Sequence, residues 1–452
     1  MNQHQALEPS SDTAKLQAPQ SNPPRWRRLF SGLTVDLTPL NYSRDYRLLF
    51  IGQAVSSFGS MMTYVVLPWQ MYQLTKSSFG VGMLSLVEFV PMLTMGFIGG
   101  AMADYVDRRR LLWLTELAMA MCCMALIANA LLPQPRVWVL FVIAALFATF
   151  NGLQRPAREA ITPRLLPLEL MPAAAALSSL RWSVSSIAGP ALGGFLATKL
   201  GAALAYGIDG ATFILSLVTL WLMQTVPPPV NAMRPSLKTI AEGLRYAKSR
   251  PELMGSYLID LNAMFFGMPM ALFPAMAEHY GGAVVGWFYA MPAVGSLLAS
   301  FISGWSTRIH KHGLAITIAA TVWGVAIIAF GLAESLWLAL FWLALAGAAD
   351  MISGLFRMTM WNQTIPDYLR GRLAGIEMIS YTTGPLLGNA EAGLVASLFS
   401  ARTSVVSGGI LCVLGSGVLA LFLPKFLRYD GRAGLARKQE EEAARATTVS
   451  QS

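Results

Sequence analysis

Charge, cysteine and histidine are all scarce in this chain. Only 13% of its 452 residues are Asp, Glu, Lys or Arg, against roughly a quarter in a typical soluble domain. The three cysteines, Cys122, Cys123 and Cys412, and the four histidines, His4, His279, His310 and His312, exclude a disulfide framework and a metal ladder. No metal or other cofactor is expected. The pair His310 and His312 sits in a basic turn without a nearby acid, so a membrane-embedded enzyme remains only a remote alternative and no catalytic residue is named. A nucleotide-cradling Gly-x-x-x-x-Gly-Lys-Ser/Thr loop and a filter-like segment are both missing, which disfavours a nucleotide-driven pump and a selective channel. Alternation of period two is absent as well, so a barrel is excluded. The first 40 residues lack a short apolar core followed by a small-residue cleavage site; residues 1–45 are expected to form a disordered cytosolic tail.

Apolar sequence is what the chain has in quantity. Hydrophobic residues make up 55% of it and mean hydropathy is +0.51. They fall into runs of about 20 residues or a little more, the length of helix that crosses roughly 30 Å of hydrocarbon. The runs are Tyr46–Thr75, Phe79–Ala103, Leu111–Leu132, Val137–Arg155, Pro172–Lys199, Ala202–Val226, Leu253–Ala277, Ala283–Trp305, Gly313–Ala333, Leu336–Trp361, Leu373–Ser400 and Thr403–Leu423. The pattern predicts an all-α membrane protein: twelve transmembrane helices in two pseudo-symmetric six-helix bundles, residues 46–226 and 253–424. Pro227-Pro228-Pro229 ends the sixth span, and within the linker 227–252 the segment Ser236–Arg250 has the spacing of a short amphipathic helix at a membrane surface. Residues 425–452 are expected as a second disordered cytosolic tail.

The formal net charge of +9 would suggest nucleic acid in a soluble protein, but its distribution points to the membrane instead. Arg25, Arg27, Arg28, Arg44, Arg108, Arg109, Arg110, Arg234, Lys238, Arg245, Lys248, Arg250, Lys311, Arg370, Arg372, Lys425, Arg428, Arg432, Arg437 and Lys438 all fall on one side, while the opposite loops hold little beyond Lys76, Arg136, Lys199 and Arg402. By the positive-inside rule both termini face the cytosol. Membrane lipids are expected partners and nucleic acid is not.

The chain also repeats itself. Gly152-Leu153-Gln154-Arg155 returns as Gly354-Leu355-Phe356-Arg357, an offset of 357 − 155 = 202. Gly189-Pro190-Ala191-Leu192-Gly193-Gly194 returns as Gly384-Pro385-Leu386-Leu387-Gly388, an offset of 384 − 189 = 195. Two similar membrane units rocking about a shared midplane site give alternating access, the mark of a secondary transporter. Glycines thin a helix for close approach, and a proline frees a carbonyl and lets the helix bend where two halves meet.

Between the second and third spans stands Gly99-Gly100-Ala101-Met102-Ala103-Asp104-Tyr105-Val106-Asp107-Arg108-Arg109-Arg110. It resembles the cytoplasmic signature loop of the major facilitator superfamily, with Tyr105 where that family often has arginine and Asp107 where it often has glycine. The second half holds an echo, Gly304-Trp305-Ser306-Thr307-Arg308, without the acid. Gly189, Pro190, Gly193 and Gly194 resemble the antiporter motif of that superfamily. Gln154-Arg155-Pro156-Ala157, Gln363-Thr364-Ile365-Pro366 and Arg370-Gly371-Arg372 are similar to its enterobactin-exporter branch. The resemblance implies a multi-pass bacterial inner-membrane exporter driven by protons, with Gly100, Asp104, Arg108 and Arg109 at the cytosolic gate; Arg155, Arg158 and Arg357, near the cytosolic ends of the fourth and tenth spans, are expected to snorkel or to form gate salt bridges there.

Ionisable residues inside a span are costly, so each is a functional candidate. For proton coupling these are Asp260, Asp350, Glu88 and Glu391; Asp209 can serve as an interhelical hydrogen-bond partner instead, and Glu377 lies near a wet helix start. Arg181 can bind an anionic solute or hold a carboxylate, and Tyr64, Trp69, Phe265, Phe266 and Trp361 can line a cavity for a bulky aromatic one, although interfacial belts explain such aromatics equally well. The expected activity is proton-coupled export of a siderophore-like or drug-like small molecule by a monomer. A lipid or lysolipid flipping carrier and a general multidrug carrier are the alternatives. The acids Asp260 and Asp350 stand only in the second half, so coupling chemistry is expected to be one-sided.

Overall fold

The computed structural model of the protein describes residues 36–226 and 245–451. A helix stands at each of the twelve expected spans: α1 Arg44–Thr75, α2 Ser78–Tyr105, α3 Arg108–Ala130, α4 Val137–Leu165, α5 Met171–Lys199, α6 Ala202–Leu222, α7 Pro251–Phe266, α8 Val285–Phe301, α9 His312–Leu332, α10 Leu336–Thr364, α11 Arg370–Leu398 and α12 Ala401–Phe422. Nine segments among the described residues are long and apolar enough to cross a membrane, and α8 is a shorter apolar helix. The segments that fall short, α5 and α11, are each 29 residues long but rich in Gly, Ser, Thr and Asn. Both lie where the two halves meet, and small or polar residues suit a helix that faces another helix closely.

Short polar side chains set the helix starts. Ser43, Ser77, Asp107, Ser335 and Ser400 each accept a hydrogen bond from a backbone N–H in the first turn that follows. Asp107, the residue that departs from the signature loop, thus caps the N-terminus of α3. The surroundings of Gly100 and Asp104 lie outside the described residues.

The halves are joined along two crossings, α2 with α11 and α5 with α8. Both are built on glycine facing glycine. A Cβ on Gly82 would lie 2.8 Å from the Asn389 carbonyl and 3.1 Å from Gly393, and a Cβ on Gly194 would run into Gly286. These four glycines lie toward the helix ends remote from the termini. On the same end Lys76 of α1 pairs with Glu278 at 2.6 Å, and Gln73 donates to Glu278 at 3.0 Å. Inside each half the repeated glycines repeat their job: Gly189 and Gly193 admit α1 at Met61 and Met62, and Gly384 and Gly388 admit α7 at Met264 and Phe265.

The chain departs from expectation in two places. The seventh span is not one helix: α7 stops at Phe266 and resumes at Phe273–His279 after a short 3-10 turn at Met270–Leu272. Gly267 and Pro269 cause the break, since glycine stabilises a helix poorly and proline donates no N–H. The tail expected to be disordered contains a helix, α13 Gly431–Gln451. Its Glu441 pairs with the buried Arg250, its Lys438 Nζ donates to the Asn362 carbonyl at 3.4 Å, and Arg445 stacks on Tyr368 at 3.7 Å. Charged side chains that looked like a solvated tail thus meet partners on the end of α10 and the linker. Residues 227–244, most of the expected amphipathic helix, lie outside the described residues.

Candidate translocation site

At the break in α7, three polar backbone groups are taken by side chains from three other helices. Trp323 Nε1 of α9 donates to the Gly267 carbonyl at 3.1 Å, Tyr289 Oη of α8 to the Met270 carbonyl at 2.9 Å, and Asn389 Oδ1 of α11 accepts from the Ala271 N–H at 3.0 Å. Irregular backbone at membrane depth stands only where such partners satisfy it. Tyr64 of α1 reaches across from the first half. Its hydroxyl donates to the Met270 sulfur at 3.2 Å, its ring meets Tyr289 edge-on at 5.7 Å, and 45% of the residue remains exposed. Glu88 of α2 lies within electrostatic reach of both tyrosines. Tyr64 and Glu88 are thereby brought together at a seam between the halves.

Nearer the termini, inside the second half, Asp260 of α7 forms an ion pair with Arg357 of α10. Asp260 is 5% exposed. Asp350, the middle residue of α10, and Glu377 of α11 both lie within electrostatic reach of Arg357 and Asp260. Asp260, Ala263, Met264, Ala320, Trp323 and Asp350 line a cavity of about 10 Å³, the size of one water molecule. Four ionisable groups from three helices thus lie within electrostatic reach of one another, and two of them, Asp260 and Asp350, line that space. When all are ionised they sum to −3 + 1 = −2, a charge that an apolar interior opposes and that two bound protons cancel. The sequence placed Arg357 at the gate, apart from the acids; the structure sets it among them.

The gate arginines of the first half find most of their partners within that half. Arg108 Nη1 donates to the Ala160 carbonyl at 3.0 Å, and Arg109 Nε donates to the Leu220 carbonyl at 2.6 Å, capping the C-terminus of α6. Arg155 pairs with Glu159 at 3.2 Å and also lies 4.7 Å over the ring of Tyr381 on α11, a contact between halves. Arg158 donates to Gln154 Oε1. Arg181 donates to Ser57 Oγ of α1 at 2.8 Å.

Several other candidates have packing or hydrogen-bond partners. Trp69 is 8% exposed and packs with Phe273 and Tyr289 in the large apolar core. Phe265 and Phe266 meet each other edge-on at 4.9 Å, and the backbones of Gly388 and Gly408 press on their carbonyls. Trp361 sits with Tyr246, Leu253 and Leu369 in a small cluster at the terminal end of α10. Asp209 is fully buried and accepts hydrogen bonds from Thr63, Thr212 and the Cys123 thiol. Glu391 lies on α11 two residues before the Gly393 crossing. Asn389, Tyr289 and the buried Glu116 were missed. Glu116 lies inside the third span and follows the rule already applied to the other acids, whereas nothing local distinguishes Asn389 or Tyr289.

Comparison with known proteins agrees with this architecture. A family profile described as transmembrane secretion effector matches residues 34–445. The enterobactin exporter EntS of Shigella boydii serotype 18 (strain CDC 3083-94 / BS512) is 26% identical over 397 residues, 87% of this chain and 95% of the relative. EntS of Escherichia coli O1:K1 / APEC is 25% identical over the same coverage. Among solved structures, a POT family transporter in complex with 5-aminolevulinic acid superposes with a TM-score of 0.69 at 12% identity, covering 85% of this chain and 97% of the other. The nucleoside transporter NupG gives 0.66 at 11%, covering 85% and 99%. These two show the same fold, and relatives and neighbours alike are transporters, not enzymes.

Proposed function

This chain belongs to the transmembrane secretion effector family of the major facilitator superfamily, and we propose that it exports a siderophore-like small molecule in exchange for protons. It is a multi-pass inner-membrane carrier with a twelve-helix fold. The observation that carries the coupling is the Asp260–Arg357 pair with Asp350 and Glu377 beside it. Protonation removes the hold of Asp260 on Arg357 and frees α7 and α10 to shift, so the cluster's charge biases two states of the carrier.

With both termini in the cytosol, the glycine crossings and the Lys76–Glu278 pair hold the outer end together. The solute is then held between the halves, against Tyr64 and Tyr289 on one side and Arg155, Arg181 and Tyr381 on the other. An anionic aromatic compound suits that mixture of rings and guanidinium groups. The names of the relatives support a siderophore as its class. The carrier works as a monomer, since each half supplies one wall of the path.

Inverted membrane vesicles test this directly, with enterobactin as the probe. Acidifying the vesicle interior should drive enterobactin inward, and Asp260→Asn combined with Asp350→Asn should abolish the driven component. Gradient-driven uptake that is unchanged in the double variant would overturn the coupling.

A further inference from the structure

The first half holds two buried acids that the cycle above leaves idle, Asp209, which three hydroxyl and thiol donors already hold, and Glu116. Glu116 stands in the third turn of α3 and is 1% exposed. Its Oε1 accepts from Gln154 Nε2 of α4 at 3.1 Å, and Gln154 Oε1 accepts from Arg158, one turn further along α4. A guanidinium only donates, so the amide turns its oxygen to Arg158 and its NH2 to the carboxyl. Glu116 is therefore joined to an arginine through an inserted amide. Three atoms of this cluster, Glu116 Oε2, Arg158 Nε and Ser216 Oγ, are buried without a hydrogen-bond partner among the described residues. Ser216 of α6 stands beside the carboxyl, where its hydroxyl can donate to an ionised Oε2 or accept from a protonated one.

Among the described residues, Arg158 is the charged group within electrostatic reach of Glu116. It stands on α4, with Arg155 and Glu159 behind it; Arg181 of α5 lies within reach of Arg158. From α6 come Ser216 and, two turns away, Asp209, while α3 itself begins with Arg108, Arg109 and Arg110. No other carboxyl stands between Glu116 and Arg158 among the described residues.

We propose that Glu116 is a second proton-binding site of this carrier, in its first half, and that its charge sets how much of the positive field of Arg158 reaches a solute between the halves. Ionised, it neutralises Arg158 through Gln154. Protonated at Oε2, it keeps the bond from Gln154 but returns one unit of positive charge to the group formed by Arg155, Arg158 and Arg181. The proton binds and leaves with no other bond made or broken. The inference rests on the proton-coupled reading above.

Infrared pH-difference spectra of the full-length protein in liposomes give a readout that needs no solute. Glu116→Gln should remove one protonated-carboxyl band that Asp260→Asn leaves in place, and Glu116→Asp should restore a band at a shifted midpoint. In enterobactin counterflow, Glu116→Gln should flatten the pH dependence of KM while gradient-driven accumulation persists. A Glu116→Gln protein with the wild-type band pattern and wild-type KM profile would overturn the proposal. If that variant does not fold, the aspartate variant decides: a band midpoint identical to wild type overturns the proposal. Failure of the Asp260 and Asp350 variants to abolish driven transport strikes only the coupling assigned to the second half, because the Glu116 band is read separately.

Discussion

Gly152-Leu153-Gln154-Arg155 and Gly354-Leu355-Phe356-Arg357 occupy corresponding places on α4 and α10, yet their side chains do opposite work. Gly152 is packed against α2, where a Cβ would meet Gly96 N at 3.0 Å and the Met92 carbonyl at 3.1 Å; a Cβ on Gly354 would meet nothing nearer than the Arg357 guanidinium at 3.8 Å. Arg155 leans outward over Tyr381 in the other half, and Arg357 turns inward to Asp260 in its own. Gln154 links Glu116 to Arg158, while Phe356, its counterpart, packs against His312 and Trp305. Duplication copied a backbone and a residue string. The helices packed around each copy then decided what the string does.

The largest break in this comparison is expected at the inward arginine. Arg357→Met leaves Asp260 buried without its partner and should lower unfolding stability by about 3–5 kcal/mol, and adding Asp260→Asn should recover most of it. Thermal unfolding in detergent micelles measures both; equal losses for Arg357→Met and Arg155→Met would erase the distinction.

The glycines come next. Gly152→Val forces the α2 and α4 backbones apart at an expected cost of about 1–3 kcal/mol, whereas Gly354→Ala should gain about 0.4–1 kcal/mol by stiffening an open helical position. A destabilised Gly354→Ala protein would show that the second copy is packed after all.

The outward arginine should matter less, because its partners are partly solvated. A double-mutant cycle of Arg155→Gln with Tyr381→Leu is expected to give a coupling of about 0.5–1 kcal/mol. A coupling of zero would remove this link between the halves. Smallest of all is Glu159→Gln, an exposed i,i+4 partner of Arg155, with a change below about 0.5 kcal/mol that fades at high salt.

How much was legible in advance varies from element to element. The twelve spans were legible because a helix that crosses a membrane must be apolar over a set length, and their serine and aspartate caps are local chemistry. The antiporter-like glycines were legible as sites of close approach, although only the structure shows that Gly194 meets Gly286 while Gly189 and Gly193 serve α1. The break in α7 was hidden inside an apolar run, since Gly267 and Pro269 alone do not stop such a run and the groups that satisfy the broken backbone come from α8, α9 and α11. Glu116 was legible as an acid inside an apolar run, but the amide that joins it to Arg158 comes from a separate helix. The tail helix escaped because its composition is polar, and its partners Arg250, Asn362 and Tyr368 are 76 to 191 residues away in the chain.

By itself the sequence determined that this protein lives in a membrane, where its apolar spans lie, and that the chain repeats itself. Those properties follow from hydropathy, length and repetition, which act along the chain. Tertiary structure decided which acid meets which arginine, where a helix breaks and which helices cross between the halves. Each of these depends on groups from separate helices satisfying one another in a medium that offers them no water.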